Sequence, residues 1–238
     1  MAIDDNHSDA DSLFDDDDGD DGGEYAGAPA SALLGPDGGI PPAKSTAPIP
    51  GLYVFPGLLP ADVASTALQA IADADHFAGG QRDQVMLFTA PGGSLPPHIA
   101  ALDAAVRALL APALPPDTLA LAFDQHLARQ AILNLYPPGA GISPHIDLAG
   151  RYADGIVGAS LAGGCVMTFL RGQERHDVYL PPRTVYVLSG EARWEWAHGI
   201  GYRDTDVVET YGRQVTMPRS LRVSVTFRWM QEGAGVLA

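Results

Sequence analysis

The carboxyl-terminal half of this sequence consists of short apolar runs that glycine and proline interrupt. The runs cover 131–136, 156–161, 164–170, 177–180, 184–189, 194–198 and 221–229. They have the length of β-strands and are too short for amphipathic helices of ordinary length. Seven or more strands at this spacing predict a double sheet, in the form of a β-sandwich or a barrel-like arrangement.

Two segments ahead of these strands have helical periodicity. Apolar residues recur at intervals of three and four within 62–75 and again within 97–112. Asp62 stands at the start of the first segment, where a carboxylate can cap a helix. The sequence therefore predicts a mainly β domain with flanking N-terminal helices.

Acidic residues are concentrated at the amino-terminal end of the chain. Residues 1–45 hold 12 of the 29 acidic residues and one of the 14 basic residues, so 46–238 has a net charge of only −4. A segment rich in aspartate, glycine and alanine cannot bury enough apolar surface to offset its ordering entropy. We therefore predict a disordered acidic tail over 1–45 and one folded domain over 46–238. A solvated spacer and an interaction segment both fit the composition of the tail.

The sequence also bears on the location of the protein. It contains no run of about 18 apolar residues that could span a bilayer, and its amino terminus lacks the pattern of a signal peptide. Cys165 is the only cysteine, so an internal disulfide cannot form. We therefore expect an intracellular protein, in the cytoplasm or the nucleus, that is monomeric and has no membrane partner.

His145 and Asp147 stand two residues apart in the run Pro144-His145-Ile146-Asp147. Alternate residues of an extended chain project from the same face, so both side chains can reach one cation. His198, 51 residues after Asp147, can supply a second imidazole. Two histidines and one carboxylate form the facial triad that holds non-haem Fe(II). The alternative for a lone His-x-Asp triplet is a histidine with a purely structural role.

The last predicted strand carries two arginines on one face. With period two, Arg222, Ser224, Thr226 and Arg228 share this face, and apolar residues share the other. The apolar face is expected to pack into the sandwich. The polar face could point to solvent, or it could hold a dicarboxylate, because arginine binds carboxylates in a two-point fork and keeps its charge when desolvated.

Together these residues resemble the AlkB family of dioxygenases. The resemblance covers about 52–230 and rests on Asn134-x-Tyr136, His145-x-Asp147, His198 and Arg222-x-Ser224-x-Thr226-Phe227-Arg228, in the order of the family. It implies a double-stranded β-helix (jelly roll) fold and a dioxygenase that uses Fe(II), 2-oxoglutarate and O2. By resemblance, the iron ligands are His145, Asp147 and His198, and the residues that bind 2-oxoglutarate are Asn134, Tyr136, Arg222, Ser224 and Arg228. Many members have asparagine at the place of Ser224.

Four further segments are similar to the branch of this family that hydroxylates modified wobble uridines in tRNA. They are Gly141-Ile142-x-Pro144-His145-Ile146-Asp147, Leu180-Pro181-Pro182-Arg183, Ser189-Gly190-Glu191-Ala192-Arg193 and Trp196-Ala197-His198-Gly199-Ile200. The similarity extends to the catalytic domain only. It implies demethylation or hydroxylation of a modified nucleobase in DNA or RNA, including tRNA. Arg82, Met86 and Phe88 lie where relatives place a cover over the flipped base.

Other functions fit parts of the pattern. The domain has no cluster of basic residues of the kind that phosphate binding favours, so a protein or a small molecule is an alternative substrate. A binding domain that has lost turnover is a second alternative, against which the complete set of metal and arginine residues argues. A zinc hydrolase would leave the arginine pair without a purpose.

Overall fold

The strands form two antiparallel sheets and a separate hairpin. The computed structural model describes residues 29–33, 40, 42–44, 46–90 and 92–234. The major sheet has the order β1 (Leu52–Phe55), β8 (Val185–Leu188), β5 (Ile156–Ala162), β12 (Arg222–Trp229), β3 (Arg129–Tyr136) and β2 (Gln84–Phe88). The minor sheet has the order β4 (Ile142–His145), β9 (Ala197–Ile200), β6 (Cys165–Arg171) and β7 (Glu174–Leu180). The hairpin joins β10 (Thr205–Thr210) to β11 (Arg213–Pro218).

The helices cover one face of the major sheet, and the minor sheet covers the other. They are α1 (Ala61–Asp73), α2 (Pro97–Leu110) and α3 (Pro116–Phe123). The one-turn helix α4 (Glu191–Trp194) instead contributes Ala192 to the core between the two sheets. One apolar core joins Ile71 and Ile99 of the helices to Val225 of the major sheet. A second core joins Ile156 of the major sheet to Phe169 of the minor sheet. The described helices all lack the length and apolar character needed to span a membrane.

The predicted fold class is confirmed, and all seven predicted strands are present with ends shifted by up to three residues. The strand predicted over 194–198 is present as Ala197–Ile200, but only two residues overlap, because Trp194 ends α4 and the strand begins at Ala197. Five strands and two helices, α3 and α4, were not predicted. Among them, β4 contains Pro144, and proline ordinarily argues against a strand.

The predicted cap at Asp62 is wrong. Helix α1 begins at Ala61 after Pro60, and no side chain caps its first turn. Asp62 lies within that turn, where its charge interacts with the helix dipole instead of accepting a capping hydrogen bond.

Most of the predicted acidic tail lies outside the described residues, and the boundary at residue 46 stays a prediction. Residues 29–33, 40 and 42–44 of it are described, and the first and last of these pieces pack on the domain. Leu33 is buried, and Arg175 donates hydrogen bonds to the carbonyl oxygens of Ala32 and Leu33 over 2.7 and 2.8 Å. Ala43 forms a β-bridge with Val208.

Gly155, directly ahead of β5, is a position at which alanine should destabilise the protein. Its φ is +84°, and a Cβ atom there would lie 2.3 Å from the carbonyl oxygen of Leu121. Left-handed backbone costs other residues about 1–3 kcal/mol, and the clash adds to that cost. Gly155→Ala should lower the free energy of unfolding by at least about 2 kcal/mol in urea denaturation.

Gly57→Ala is the control for this prediction. Gly57 also has a left-handed φ of +67°, but its Cβ position has no neighbour within 4 Å. This variant carries the strain without the clash, so it should lose less stability. Equal losses in the two variants would contradict the close approach to Leu121.

Candidate active site

The polar face of β12 is buried and points into the space between the two sheets. Arg222, Ser224 and Arg228 are each 4% exposed. Val225 and Phe227, on the opposite face of the strand, pack against the helices. The expectation that the apolar face packs inside the sandwich is therefore wrong, because the helix layer provides a separate core for it. The interior of the sandwich is polar along this strand.

His145, Asp147 and His198 meet at one end of this space. The pairing of β4 with β9 places His145 opposite His198, and the centroids of their rings are 4.7 Å apart. Asp147 follows β4 by two residues, and its Oδ2 atom lies 3.6 Å from Nε2 of His198. One potential ligand atom from each residue lies within 4.8 Å of the other two. With small side-chain movements, a single cation between them could bind all three.

Both imidazoles are in states that suit metal binding. Nδ1 of His145 lies 2.9 Å from the carbonyl oxygen of Ser143, which places the proton on Nδ1 and the lone pair on Nε2. Burial, followed by the neighbouring His145 and the guanidinium of Arg193, lowers the pKa of His198 well below its ordinary value. His198 is therefore neutral at pH 7, as a metal ligand must be.

Asp147 is buried beside Arg228. Nη1 of Arg228 donates to Oδ1 of Asp147, and Nε donates to Oε1 of Gln130 over 2.8 Å. The guanidinium carbon lies 3.7 Å from the ring centroid of Tyr152. Burial lowers the pKa of Arg228 to about 9, so the side chain stays charged at neutral pH. Arg228 thus engages one carboxylate oxygen, and the other is directed toward the histidines.

Arg222 provides a second cation in the same space. Its Nη1 donates to Oγ of Ser224 over 2.9 Å, and its Nη2 donates to Oγ of Ser160 over 3.1 Å. Its Nε is buried and has no hydrogen-bond partner among the described residues. Within the described chain Arg222 forms no ion pair with a carboxylate. A buried guanidinium with hydroxyl partners only is suited to an anionic ligand.

Two phenols accompany Arg222. Tyr136 lies opposite Arg222 across the β12–β3 pair, and the guanidinium carbon is 5.4 Å from its ring centroid. Burial raises the pKa of Tyr136 and of Tyr186 above that of a free phenol. Both hydroxyls therefore stay protonated at neutral pH and can donate to a carboxylate.

One cavity contains all of the predicted metal and co-substrate residues. Its lining includes Asn134, Tyr136, His145, Asp147, His198, Arg222, Ser224 and Arg228. The cavity can therefore hold a cation at one end and a carboxylate group at the Arg222 end. This arrangement could bind a chelating dicarboxylate.

The predicted substrate residues are absent from the lining of this cavity. Met86 and Phe88 are half-buried on the edge strand β2, and they alternate with residues that pack against the helices. Arg82 precedes the strand and is exposed. The lining residue from β2 is Gln84, which sequence reasoning missed and which donates to Oδ1 of Asn134 over 2.9 Å.

Other contributors to the site also escaped the sequence analysis. Gln130 has the same strand phase as Asn134 and Tyr136, so period two could have identified it. No local signal marks Tyr152, Ser160 and Tyr186, because they come from distant strands and loops. Arg193 ends the segment Ser189-Gly190-Glu191-Ala192-Arg193, which resembles the family branch, but its contact with the loop that carries Asp147 is visible only in the tertiary structure.

Comparison with known proteins gives consistent matches. The model of the 2OG-Fe(II) oxygenase superfamily matches residues 90–228, more than half of the chain. "Uncharacterized protein L905" of Acanthamoeba polyphaga mimivirus is 40% identical over 102 residues, which are 42% of this chain and 47% of that protein. "Alkylated DNA repair protein ALKBH8 homolog" of Arabidopsis thaliana is 31% identical over 212 residues, 76% of this chain and 58% of that protein.

A third relative is longer. "tRNA (carboxymethyluridine(34)-5-O)-methyltransferase alkbh8" of Xenopus tropicalis is 35% identical over 117 residues, 44% of this chain and 19% of that protein. The chain thus spans less than two thirds of the length of each of these three relatives.

Proposed function

We propose that this chain, which belongs to the 2OG-Fe(II) oxygenase superfamily, is an AlkB-like dioxygenase that uses Fe(II) and 2-oxoglutarate and binds the iron through His145, Asp147 and His198. The observation that carries this proposal is the convergence of two imidazoles and one carboxylate in the cavity that also contains Arg222. When bound, iron and 2-oxoglutarate supply the oxidation of a C–H bond by O2, coupled to loss of CO2 from the co-substrate.

The other polar residues of the cavity are proposed to bind 2-oxoglutarate. Arg222 and Tyr136 would receive the distal carboxylate, and Ser224 would hold the guanidinium in place through its hydroxyl. Asn134 and Arg228 would serve the end near the metal. The fit rests on the buried Nε of Arg222, which has no partner among the described residues, and on the protonated phenol of Tyr136.

The proposed substrate is a modified nucleobase in DNA or RNA, and a base of tRNA in particular, which the enzyme would demethylate or hydroxylate. The names of two relatives support this class, since one refers to repair of alkylated DNA and the other to a carboxymethyluridine of tRNA. Met86 and Phe88 lie on the strand that borders the cavity, where apolar side chains could contact an extruded base, and Arg82 could contact its phosphate.

One observation favours an alternative, in which the same oxygenase chemistry acts on a protein or a small molecule. Among the residues that the structure describes, seven of the 13 arginines form ion pairs with carboxylates of the same chain. Arg171 alone contacts Glu174, Glu191 and Glu195. Paired arginines contribute less to phosphate binding, which supplies most of the affinity for nucleic acid.

Succinate formation tests the proposed function. The protein would be incubated with Fe(II), ascorbate, O2 and 2-oxoglutarate, and with one of three nucleic acids: tRNA that carries a 5-modified wobble uridine, the same tRNA unmodified, or N-methylated single-stranded DNA. We expect a modified nucleic acid to stimulate succinate release and either to gain the mass of one oxygen atom or to lose the mass of one CH2 unit, since demethylation replaces N–CH3 by N–H and releases formaldehyde. If only peptides or metabolites, added in place of the nucleic acid, stimulated succinate release, the alternative substrate class would be supported. If no succinate formed even in the absence of a substrate, the proposed dioxygenase activity would be rejected.

Two broader properties remain proposals. We infer an intracellular location, in the cytoplasm or the nucleus, because the buried Cys165 is the only cysteine and internal disulfides are therefore excluded. The monomeric state stays a prediction.

A further inference from the structure

A buried arginine outside the cavity lining contacts the loop that carries Asp147. This residue is Arg193 of α4, which is 2% exposed. Its Nη1 donates to the carbonyl oxygen of Asp147 over 2.9 Å, and its Nη2 donates to that of Tyr152 over 2.8 Å. Its Nε donates to the carbonyl oxygen of Ala153 over 3.3 Å, and Nη2 also lies 3.5 Å from that of Leu148. One guanidinium therefore binds both ends of the loop.

This loop needs such a partner, because residues 146–150 form no strand or helix of their own. Buried carbonyl groups must find donors, and a guanidinium offers five N–H groups in one plane. Arg193 is itself held in place, since its guanidinium carbon lies 4.1 Å from the ring centroid of Trp194. The indole Nε1 of Trp194 donates to Oδ2 of Asp154 over 3.2 Å, which links α4 to the end of the loop.

Asp147 and Tyr152, whose carbonyl oxygens accept hydrogen bonds from Arg193, both have their side chains at the candidate metal site. Asp147 directs Oδ2 toward His198. Tyr152 stacks on Arg228, whose Nη1 donates to the other oxygen of Asp147. A shift of the loop backbone would therefore move the carboxylate and its guanidinium partner together.

We propose that Arg193 is a positioning residue for the metal site, which holds the backbone of the 147–153 loop so that the Asp147 carboxylate faces His145 and His198. The inference rests on the proposed role of these three residues as metal ligands. Groups that orient a metal ligand typically change metal affinity by about 10- to 100-fold when they are removed. Arg193 should have an effect of this size, although it touches neither the metal nor 2-oxoglutarate.

The test compares Arg193→Met and Arg193→Lys with wild type as metal-free, full-length proteins. Mn²⁺ affinity would be measured by titration calorimetry, because Mn²⁺ occupies oxygen and nitrogen sites without the redox turnover of iron. Hydrogen–deuterium exchange would report on the backbone of 147–153. Arg193→Met should weaken Mn²⁺ binding at least tenfold and speed exchange in this loop. Arg193→Lys should lie between Arg193→Met and wild type, because an ammonium group replaces only part of the planar set of donors.

Arg129→Met is the matched control. Arg129 is also buried, at 5% exposure, and donates to the carbonyl oxygen of Ala122 over 2.9 Å and to Asp103 over 2.8 Å. It does not line the cavity between the sheets. Whatever its stability relative to wild type, this variant should bind Mn²⁺ with unchanged affinity.

Three other results would each decide the matter. Wild-type Mn²⁺ affinity in folded Arg193→Met, or in folded Arg193→Lys if the methionine variant does not fold, would overturn the positioning role. Faster exchange throughout the domain, with no excess in 147–153, would also overturn it and leave only a general structural role. Failure of wild type to bind Mn²⁺ would instead reject the triad as a metal site, and this inference with it.

Discussion

His145→Ala is expected to abolish 2-oxoglutarate turnover and to leave the metal-free protein close to wild type in stability. The substitution removes one of the three proposed iron ligands, so the rate of succinate formation should fall by more than about 100-fold, beyond the loss expected for a group that only orients a ligand. Succinate release and urea denaturation measure the two effects separately. Unimpaired turnover would remove His145 from the ligand set.

Asp147→Ala should cause the same loss of turnover together with a loss of stability. Asp147 and Arg228 are both 4% exposed, and each is the other's ion-pair partner. Removing one partner of a buried pair leaves an uncompensated charge and costs about 3–5 kcal/mol. The free energy of unfolding of the metal-free protein should fall by this amount in Asp147→Ala but not in His145→Ala.

A double variant is the control for the buried pair. Asp147→Leu combined with Arg228→Met replaces both charges with apolar side chains, so it should regain stability lost in Asp147→Ala while remaining inactive. If Asp147→Ala were as stable as His145→Ala, the close contact between Asp147 and Arg228 would not be the state of the metal-free protein.

Arg222→Lys is the second change with a large expected effect. Lysine keeps the charge but cannot form the two-point fork with a carboxylate. Loss of a hydrogen bond to a charged group costs about 1.5–3 kcal/mol, which corresponds to a rise of roughly tenfold or more in the half-saturating 2-oxoglutarate concentration. The rate at saturating co-substrate should change less than this, because Arg222 lies away from the reacting end. Initial rates of succinate release at varied 2-oxoglutarate provide the measurement.

Arg175→Lys serves as the comparison for this prediction. Arg175 pairs with Asp177 through Nε over 2.7 Å and does not line the cavity. Its substitution should leave the half-saturating concentration of 2-oxoglutarate unchanged.

Arg222→Met tests the same role through co-substrate selectivity. In this variant, the preference for 2-oxoglutarate over a 2-oxo acid without the distal carboxylate should fall. An unchanged preference would mean that another residue receives that carboxylate.

The fold could be predicted to the level of class because its main signals are local. Alternation of polar and apolar residues along 221–229 and 131–136 marks strands whatever their neighbours are, and both are present as β12 and β3. The edge strand β2 and the proline-containing β4 have weak local signals. Their strand structure depends on backbone hydrogen bonds from β3 and β9, which no short window of sequence records.

The candidate site was likewise predictable only where its signals are local. The spacing of His145 and Asp147 and the phase of Arg222 and Arg228 identified residues that line one cavity. Ser160 and Tyr152 could not be identified in this way. They reach Arg222 and Arg228 only because β5 pairs with β12 and because the loop before β5 folds back over the end of the major sheet.

The sequence by itself therefore determined the fold class, the shared face of Arg222, Ser224, Thr226 and Arg228, and the set of residues that could bind a metal ion or a carboxylate. Only the tertiary structure decided that the polar face of β12 is interior, that Arg228 engages one oxygen of Asp147, and that Arg193 binds the loop 46 residues before it. The physical reason is that strand period is set by the geometry of each residue, whereas contacts between distant residues depend on sheet order and loop paths. Those follow from the packing of the helices and both sheets together.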